Sequence, residues 1–164
     1  MKTFNCTRLA VALSAMIGMS SLLHGSASAL GGMTIVQSPM QLTWGPAPPQ
    51  LPKGVQLAVL TGDPAKAGTY TIRLKWPTGS KIGPHWHPAD VNVTVMSGIF
   101  GIAIGDKFDK SGGKLVKPGG FFLEPKGMHH YAWAEGTTVI QLHGEGPLVI
   151  NYVNSSDDPS TTHH

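Results

Sequence analysis

The sequence predicts an all-β protein, built as a jelly roll or a small barrel. Its 164 residues include 21 glycines and 13 prolines, scattered evenly between short segments rich in Val, Ile, Thr and aromatic residues. This composition is typical of many short strands separated by turns. No window repeats its apolar residues at the 3.6-residue period of a helix. Jelly rolls and barrels suit such strands because they close or cover the strand edges.

The first 29 residues have the three parts of a signal peptide. Lys2 and Arg8 supply positive charge, residues 9–23 are apolar and uncharged, and an Ala-Ser-Ala sequence ends at Ala29. Signal peptidase requires small residues at two such positions. The apolar run is about 15 residues, shorter than the roughly 20 that a membrane-spanning helix needs. We therefore predict cleavage after Ala29, export to the periplasm or the medium, and no stable membrane anchor afterwards.

The predicted mature chain, residues 30–164, is almost neutral. The full chain has a formal net charge of +3, and without Lys2 and Arg8 it has 10 basic against 9 acidic residues, or +1. It shows no basic stripe of the kind that binds phosphate backbones, so we predict no nucleic-acid partner. Cys6 is the only cysteine and leaves with the signal peptide. The mature chain therefore has no disulfide, although an exported protein could form one.

Residues 30–154 suffice for one domain with a single core. The predicted strands are residues 55–60, 68–76, 91–96, 98–104, 121–123, 131–134, 137–143 and 148–153. The proline-rich stretch 44–52 cannot join a central strand, so we expect an extended arm across the barrel or against a neighbouring subunit. Residues 155–164 are polar, and we predict a flexible C-terminal tail.

Two segments carry closely spaced histidines. In the first, His85 and His87 flank Trp86. Side chains alternate along an extended strand, so the two imidazoles point to one face and can reach one metal ion. In the second, a Pro-Lys-Gly turn ending at Gly127 is followed by His129 and His130. This turn delivers a further histidine from a distant strand.

The two segments resemble the two motifs of the cupin superfamily. The first motif is usually written G-x5-H-x-H-x3,4-E-x6-G, and the second G-x5-P-x-G-x2-H-x3-N. The matching residues are Gly79, His85, His87, Gly98, Gly119, Pro125, Gly127 and His130. Ala134 stands in place of the final Asn. The likeness covers most of residues 44–159. Within the superfamily, the chain resembles small, exported, single-domain cupins of the RmlC-like kind. It implies a cupin-type double-stranded β-helix, or jelly-roll barrel, and a homodimer.

The resemblance also implies that His85, His87 and His130 bind one divalent transition metal ion. Three neutral imidazoles suffice for such an ion and leave open positions for water or substrate. The sequence does not distinguish Fe, Zn, Cu, Ni and Mn. His129 is the alternative to His130, but the motif spacing favours His130.

Two residues of a late strand, Gln141 and His143, share one face. If that face is interior, they line the pocket and orient a ligand or the metal-binding residues. The alternative is that His143 lies at the surface or at the edge of the core.

Val91 departs from the motif, because the family usually has a glutamate ligand at this position. Without that carboxylate a divalent ion is held less tightly. Asp90 or Glu124 can replace it only if the backbone bulges locally.

Two functions therefore stay open. One is a metal-dependent enzyme, dioxygenase-like or other, acting on a small molecule. The other is a non-catalytic barrel that binds a small ligand or metal, with its metal site weakened or lost.

Overall fold

The computed structural model describes residues 37–161, which lie in the second of the two units into which the chain divides, Val36–His164. The predicted signal peptide, residues 1–29, lies outside the described residues, so it stays a prediction. Within residues 37–161, no helix is long and apolar enough to span a bilayer.

Eleven strands, numbered in chain order, form two antiparallel sheets. The first sheet contains, in spatial order, β1 (Gly45–Pro46), β2 (Gln56–Thr61), β3 (Gly68–Trp76), β10 (Thr138–Gly146), β5 (Val91–Ser97) and β8 (Phe121–Glu124). The second contains β11 (Asn151–Tyr152), β4 (Lys81–Trp86), β9 (His130–Ala134), β6 (Phe100–Ile104) and β7 (Lys114–Val116). The helical elements described are 3₁₀ turns at Pro39–Gln41, Lys110–Gly112, Ser155–Asp157 and Pro159–Thr161. The all-β prediction is confirmed.

Each predicted strand overlaps an observed one, but the sequence does not predict β1, β4 or β7. Gly83 and Pro84 interrupt the strand pattern of β4, so the sequence predicts an extended backbone only at its histidine end, around Trp86. The proline-rich arm contributes β1, which pairs only with β2 at the edge of its sheet, as expected for a segment poor in backbone donors. The predicted flexible tail begins with two 3₁₀ turns, whose backbone N–H groups donate to the side chains of Asn154, just before the tail, and of Asp158, within it. The flexibility of this tail stays a prediction.

The core lies between the two sheets. Alternate residues of each long strand point inward, and these are the apolar ones. The first sheet contributes Tyr70, Ile72, Leu74, Trp76, Val91, Val93, Val95, Ile140 and Leu142. The second sheet contributes Ile82, Phe100, Ala132 and Ala134. Each fully buried large aliphatic side chain adds about 1.5–3 kcal/mol of hydrophobic stabilisation, and this core fixes the strands that carry the histidines.

The four motif glycines share one backbone feature, a left-handed φ. Gly79, Gly98, Gly119 and Gly127 have φ values of 77°, 78°, 82° and 73°, which other residues adopt only with strain. At Gly98 space is also closed, since a Cβ would lie 2.5 Å from the Thr138 hydroxyl and 2.6 Å from the Thr137 carbonyl oxygen. The glycines therefore set the turns that keep the two histidine segments in register.

Candidate metal centre

Strands β4 and β9 bring three histidines together. His85 and His130 are direct partners in the β4–β9 register, and His87 follows the end of β4. The ring centroids of His85 and His130 are 4.2 Å apart, and His87 lies 5.1 Å and 5.3 Å from them. One candidate ligand nitrogen from each ring lies within 4.8 Å of the other two. All three side chains are buried, so they form a compact cluster inside the barrel.

The turn that precedes His130 is fastened to the first histidine segment. The backbone N–H of Gly127 donates to the carbonyl of His87 at 2.9 Å. The N–H of Lys126 donates to Oδ1 of Asp90 at 2.7 Å. Asp90 therefore holds the turn in place, and its carboxylate does not join the cluster as a substitute ligand.

Backbone carbonyls orient all three imidazoles. Nδ1 of His85 donates to Gly83 at 2.9 Å, Nδ1 of His87 to Val149 at 2.7 Å, and Nδ1 of His130 to Met128 at 2.9 Å. A carbonyl oxygen only accepts, so each Nδ1 carries the hydrogen, and in the neutral ring Nε2 presents a lone pair. This is the arrangement in which histidine binds a metal, because the second nitrogen fixes the tautomer and the ring orientation.

The surroundings of Nε2 of His130 indicate whether a metal ion fits here. This atom is buried and has no hydrogen-bond partner among the described residues. A buried polar atom left in this way costs about 1–3 kcal/mol, whereas coordination would satisfy it. Three imidazole nitrogens are also the donors that divalent transition metals prefer. The cluster can therefore hold such an ion.

The carboxylate of Glu124 also reaches the cluster. From the sequence, Glu124 is expected to do so only if the backbone bulges locally. Glu124 is 6% exposed. Its Oε1 lies 3.3 Å from Nε2 of His130, and its Oε2 lies 3.5 Å from Nε2 of His87. No bulge is needed, because β8 pairs regularly with β5 from Phe121 to Glu124. Phe121 and Leu123 face outward, so simple alternation along β8 points Phe122 and Glu124 inward.

The electrostatics of the cluster follow from this contact. Burial alone would raise the pKa of Glu124, but the contacts with His130 and His87 outweigh it and hold that pKa well below its usual range. Burial also favours the neutral form of His130, yet the contact with Glu124 raises the pKa of His130 overall. Burial and then the charges of His130 and His87 lower the pKa of His85 to about 3. The centre thus holds an ionised carboxylate that only a positive charge at the histidines balances.

The other predicted residues lie elsewhere. Gln141 and His143 are on the outer face of β10, where Gln141 accepts from Arg73 Nε at 3.0 Å and the exposed His143 ring lies 3.0 Å from the Thr71 hydroxyl. This corrects the expectation that they line the pocket, because Ile140 and Leu142 take the inner positions of β10. His129 is 40% exposed at its side chain and pairs with Asp106 at 2.6 Å.

One cavity adjoins the cluster, and a second cavity shares walls with the first. A cavity of about 40 Å³ touches His85, His87 and Glu124 and is otherwise lined by apolar and aromatic side chains. A second cavity, of about 290 Å³, lies under the proline-rich arm and the segment between β10 and β11. The two cavities share the walls Leu51, Leu74, Leu148 and Ile150. Val149, which lines the larger cavity, also accepts the hydrogen bond from Nδ1 of His87 through its backbone carbonyl.

The two-sheet barrel and its histidine cluster define a cupin. The model of the ChrR cupin-like domain matches residues 33–149, so the chain belongs to the ChrR cupin-like family. A search of curated proteins finds no match.

Several solved structures share the fold. The polyketide cyclase RemF from Streptomyces resistomycificus superposes with a TM-score of 0.64 at 16% identity, covering 78% of this chain and 91% of that one. An acetylacetone dioxygenase from Acinetobacter johnsonii gives 0.56 at 14% identity, over 95% and 88% of the two chains. An RmlC-like cupin from Shewanella frigidimarina gives 0.53 at 13% identity, over 69% and 91%. At these identities the likeness establishes the cupin fold.

Proposed function

We propose that this chain is an exported metalloenzyme that uses one divalent transition metal ion, held by His85, His87 and His130, to convert a small and largely apolar molecule. The observation that carries the proposal is the convergence of three buried imidazoles whose Nδ1 atoms all donate to backbone carbonyls. Export rests on the predicted signal peptide at residues 1–29. A dioxygenase-like reaction is the first candidate, since one protein of the same fold is an acetylacetone dioxygenase.

The protein's own groups supply binding, orientation and exclusion of water. A bound ion in such a site provides Lewis-acid or redox chemistry. The carbonyls of Gly83, Met128 and Val149 keep the ligand nitrogens aimed at one point. The apolar walls around the cluster exclude bulk water, which strengthens every electrostatic contact inside.

The cavities support a small, largely apolar substrate. The cavity beside the histidines has a volume of about 40 Å³, room for a few water molecules at roughly 10–15 Å³ each. The neighbouring cavity of about 290 Å³ is at the lower end of the range for small-molecule sites. Nε1 of Trp76, in the wall of the smaller cavity, is buried without a hydrogen-bond partner among the described residues. It is available to donate to an oxygen of the substrate.

A non-catalytic, metal-binding barrel is the second candidate, and the small inner cavity favours it. A volume of about 40 Å³ next to the histidines admits a substrate only if the shared apolar walls move. The described residues of this cavity also include no free general base, because Glu124 is held by two histidines. Turnover separates the two candidates.

The test is elemental analysis of the mature protein, purified without an affinity tag or chelator. We expect near-stoichiometric metal in the wild type and none in His85→Ala/His87→Ala. The metal-loaded protein is then screened for oxygen consumption with acetylacetone and other small dicarbonyl compounds. Metal without turnover would favour the binding protein. A wild type that neither carries nor takes up Fe²⁺, Zn²⁺ or Cu²⁺ would refute both.

A further inference from the structure

Val91 and Glu124 occupy facing positions of two neighbouring strands. They are direct partners in the antiparallel β5–β8 register, and both are buried, at 2% and 6% exposure. Directly opposed residues of an antiparallel pair point to the same face, with their Cβ atoms about 4.5–5.5 Å apart. A carboxylate that starts from position 124 therefore enters the same space as one that starts from position 91.

The distances from Glu124 to His87 and His130 are those of atoms that can share one metal ion. Ligand atoms about 2.0–2.2 Å from a tetrahedral or octahedral ion are separated from their neighbours by about 3.0–3.5 Å. The Glu124 oxygens lie 3.3 Å and 3.5 Å from Nε2 of His130 and His87. Nε2 of His130 has no hydrogen-bond partner among the described residues. The spacing thus fits coordination better than it fits direct pairing.

The charge of Glu124 gives a second argument. The ion pairs of this carboxylate among residues 37–161 are to His87 and His130. When these rings are neutral, their Nε2 atoms are acceptors, because Nδ1 carries the hydrogen in both. A carboxylate that faces two acceptors in a buried site is unfavourable unless a proton or a metal ion lies between them.

We propose that Glu124 is the carboxylate ligand of this metal centre and takes the role of the motif glutamate that Val91 lacks. In the motif the carboxylate comes from the β5 position that Val91 occupies here. In this chain it comes from Glu124, the direct partner of Val91 on β8. This inference rests on the proposed metal site and adds a fourth protein ligand to it.

The experiment measures the affinity of the mature, full-length protein for Zn²⁺ and Co²⁺ by chelator competition. Glu124→Gln keeps the volume and removes the charge. We expect affinity to fall by at least about 10- to 100-fold, the range seen even when partners of metal ligands are removed. The matched control is Glu145→Gln, which removes an exposed carboxylate of β10 and is expected to leave the affinity unchanged.

A relocation variant makes the test specific. In Val91→Glu/Glu124→Gln the carboxylate returns to β5, and we expect it to restore at least about tenfold of the lost affinity. Glu124→Asp, which retracts the carboxylate by one methylene, should lower the affinity to an intermediate level. Both variants should alter the visible absorption of bound Co²⁺ relative to the wild type, which a distant charge would not do. Thermal melts of the metal-free variants show that each one folds.

Two negative results have different meanings. If the wild type binds neither ion, the proposed metal function fails and the role of Glu124 fails with it. If the wild type binds both ions and Glu124→Gln binds them equally well with an unchanged Co²⁺ spectrum, the metal function stands and this inference is overturned.

Discussion

At the scale of single residues, the centre depends on which of two adjacent histidines points inward. His130 is fully buried, and its Nδ1 donates to Met128. His129 is half exposed and pairs with Asp106. The motif spacing favours His130, and alternation along the backbone accounts for the opposite direction of its neighbour. One position along the chain therefore separates a candidate ligand from a surface ion pair.

This difference predicts opposite outcomes for two alanine variants. His130→Ala should abolish near-stoichiometric metal binding, because it removes one of three imidazole ligands. His129→Ala should keep metal binding and change the free energy of unfolding by less than about 1 kcal/mol, as for other exposed ion pairs. Elemental analysis and urea denaturation of both variants check the prediction. Equal metal loss in the two variants would contradict the assignment of His130.

At the scale of strands, the sequence predicts the histidine segments well because glycine and proline positions fix their turns. It predicts the direction of side chains less well. On β10 the apolar residues Ile140 and Leu142 alternate with Gln141 and His143, which indicates that the apolar pair faces the core. The structure has this arrangement, so the prediction that Gln141 and His143 line the pocket goes against the pattern. On β8, alternation along the strand is enough to predict that Phe122 and Glu124 point to one face and that Phe121 and Leu123 point to the other. Glutamate is rarely buried unless it is paired. The burial of Glu124 is explained by its contacts with His87 and His130, which the sequence of β8 does not reveal.

The segment between β10 and β11 forms part of the wall that the two cavities share. A bulky substitution in this wall should therefore weaken the binding of a larger probe more than that of a small one. Leu148 is in the wall common to both cavities, and its N–H donates to Pro64 at 2.7 Å. Leu148→Trp should reduce the space on both sides of this wall. In the Co²⁺-loaded protein we expect azide to perturb the spectrum as in the wild type, and acetylacetone to bind at least about tenfold more weakly, or ~1.4 kcal/mol.

The control for this variant is Val59→Trp, which adds the same bulk to an exposed position of β2. It should affect neither probe. Unchanged binding of acetylacetone to Leu148→Trp would show that small molecules reach the centre by another route.

At the scale of the whole molecule, the candidate centre joins the two sheets. His85 and His130 belong to strands β4 and β9 of the second sheet, whereas Glu124 ends β8 of the first. The chain has a single cysteine and therefore no internal disulfide, so hydrophobic burial between the sheets is the main source of its stability. The predicted homodimer stays a prediction. Strand β8 is an edge strand with Phe121 and Leu123 exposed, and an edge of this kind suits pairing with a second copy.

A cation held by residues of both sheets should therefore stabilise the whole fold. Binding to the native state alone adds about 2.7 kcal/mol to the free energy of unfolding at a free metal concentration 100-fold above Kd. For a domain of this size that is a rise in Tm on the order of 5–15 °C. We expect this rise when Zn²⁺ is added to the metal-free wild type, a smaller one in Glu124→Gln at the same concentration, and none in His85→Ala/His87→Ala. Differential scanning calorimetry measures all three. An equal rise in the double histidine variant would place the stabilising ion elsewhere on the protein, because that variant lacks two of the three imidazoles that define the centre.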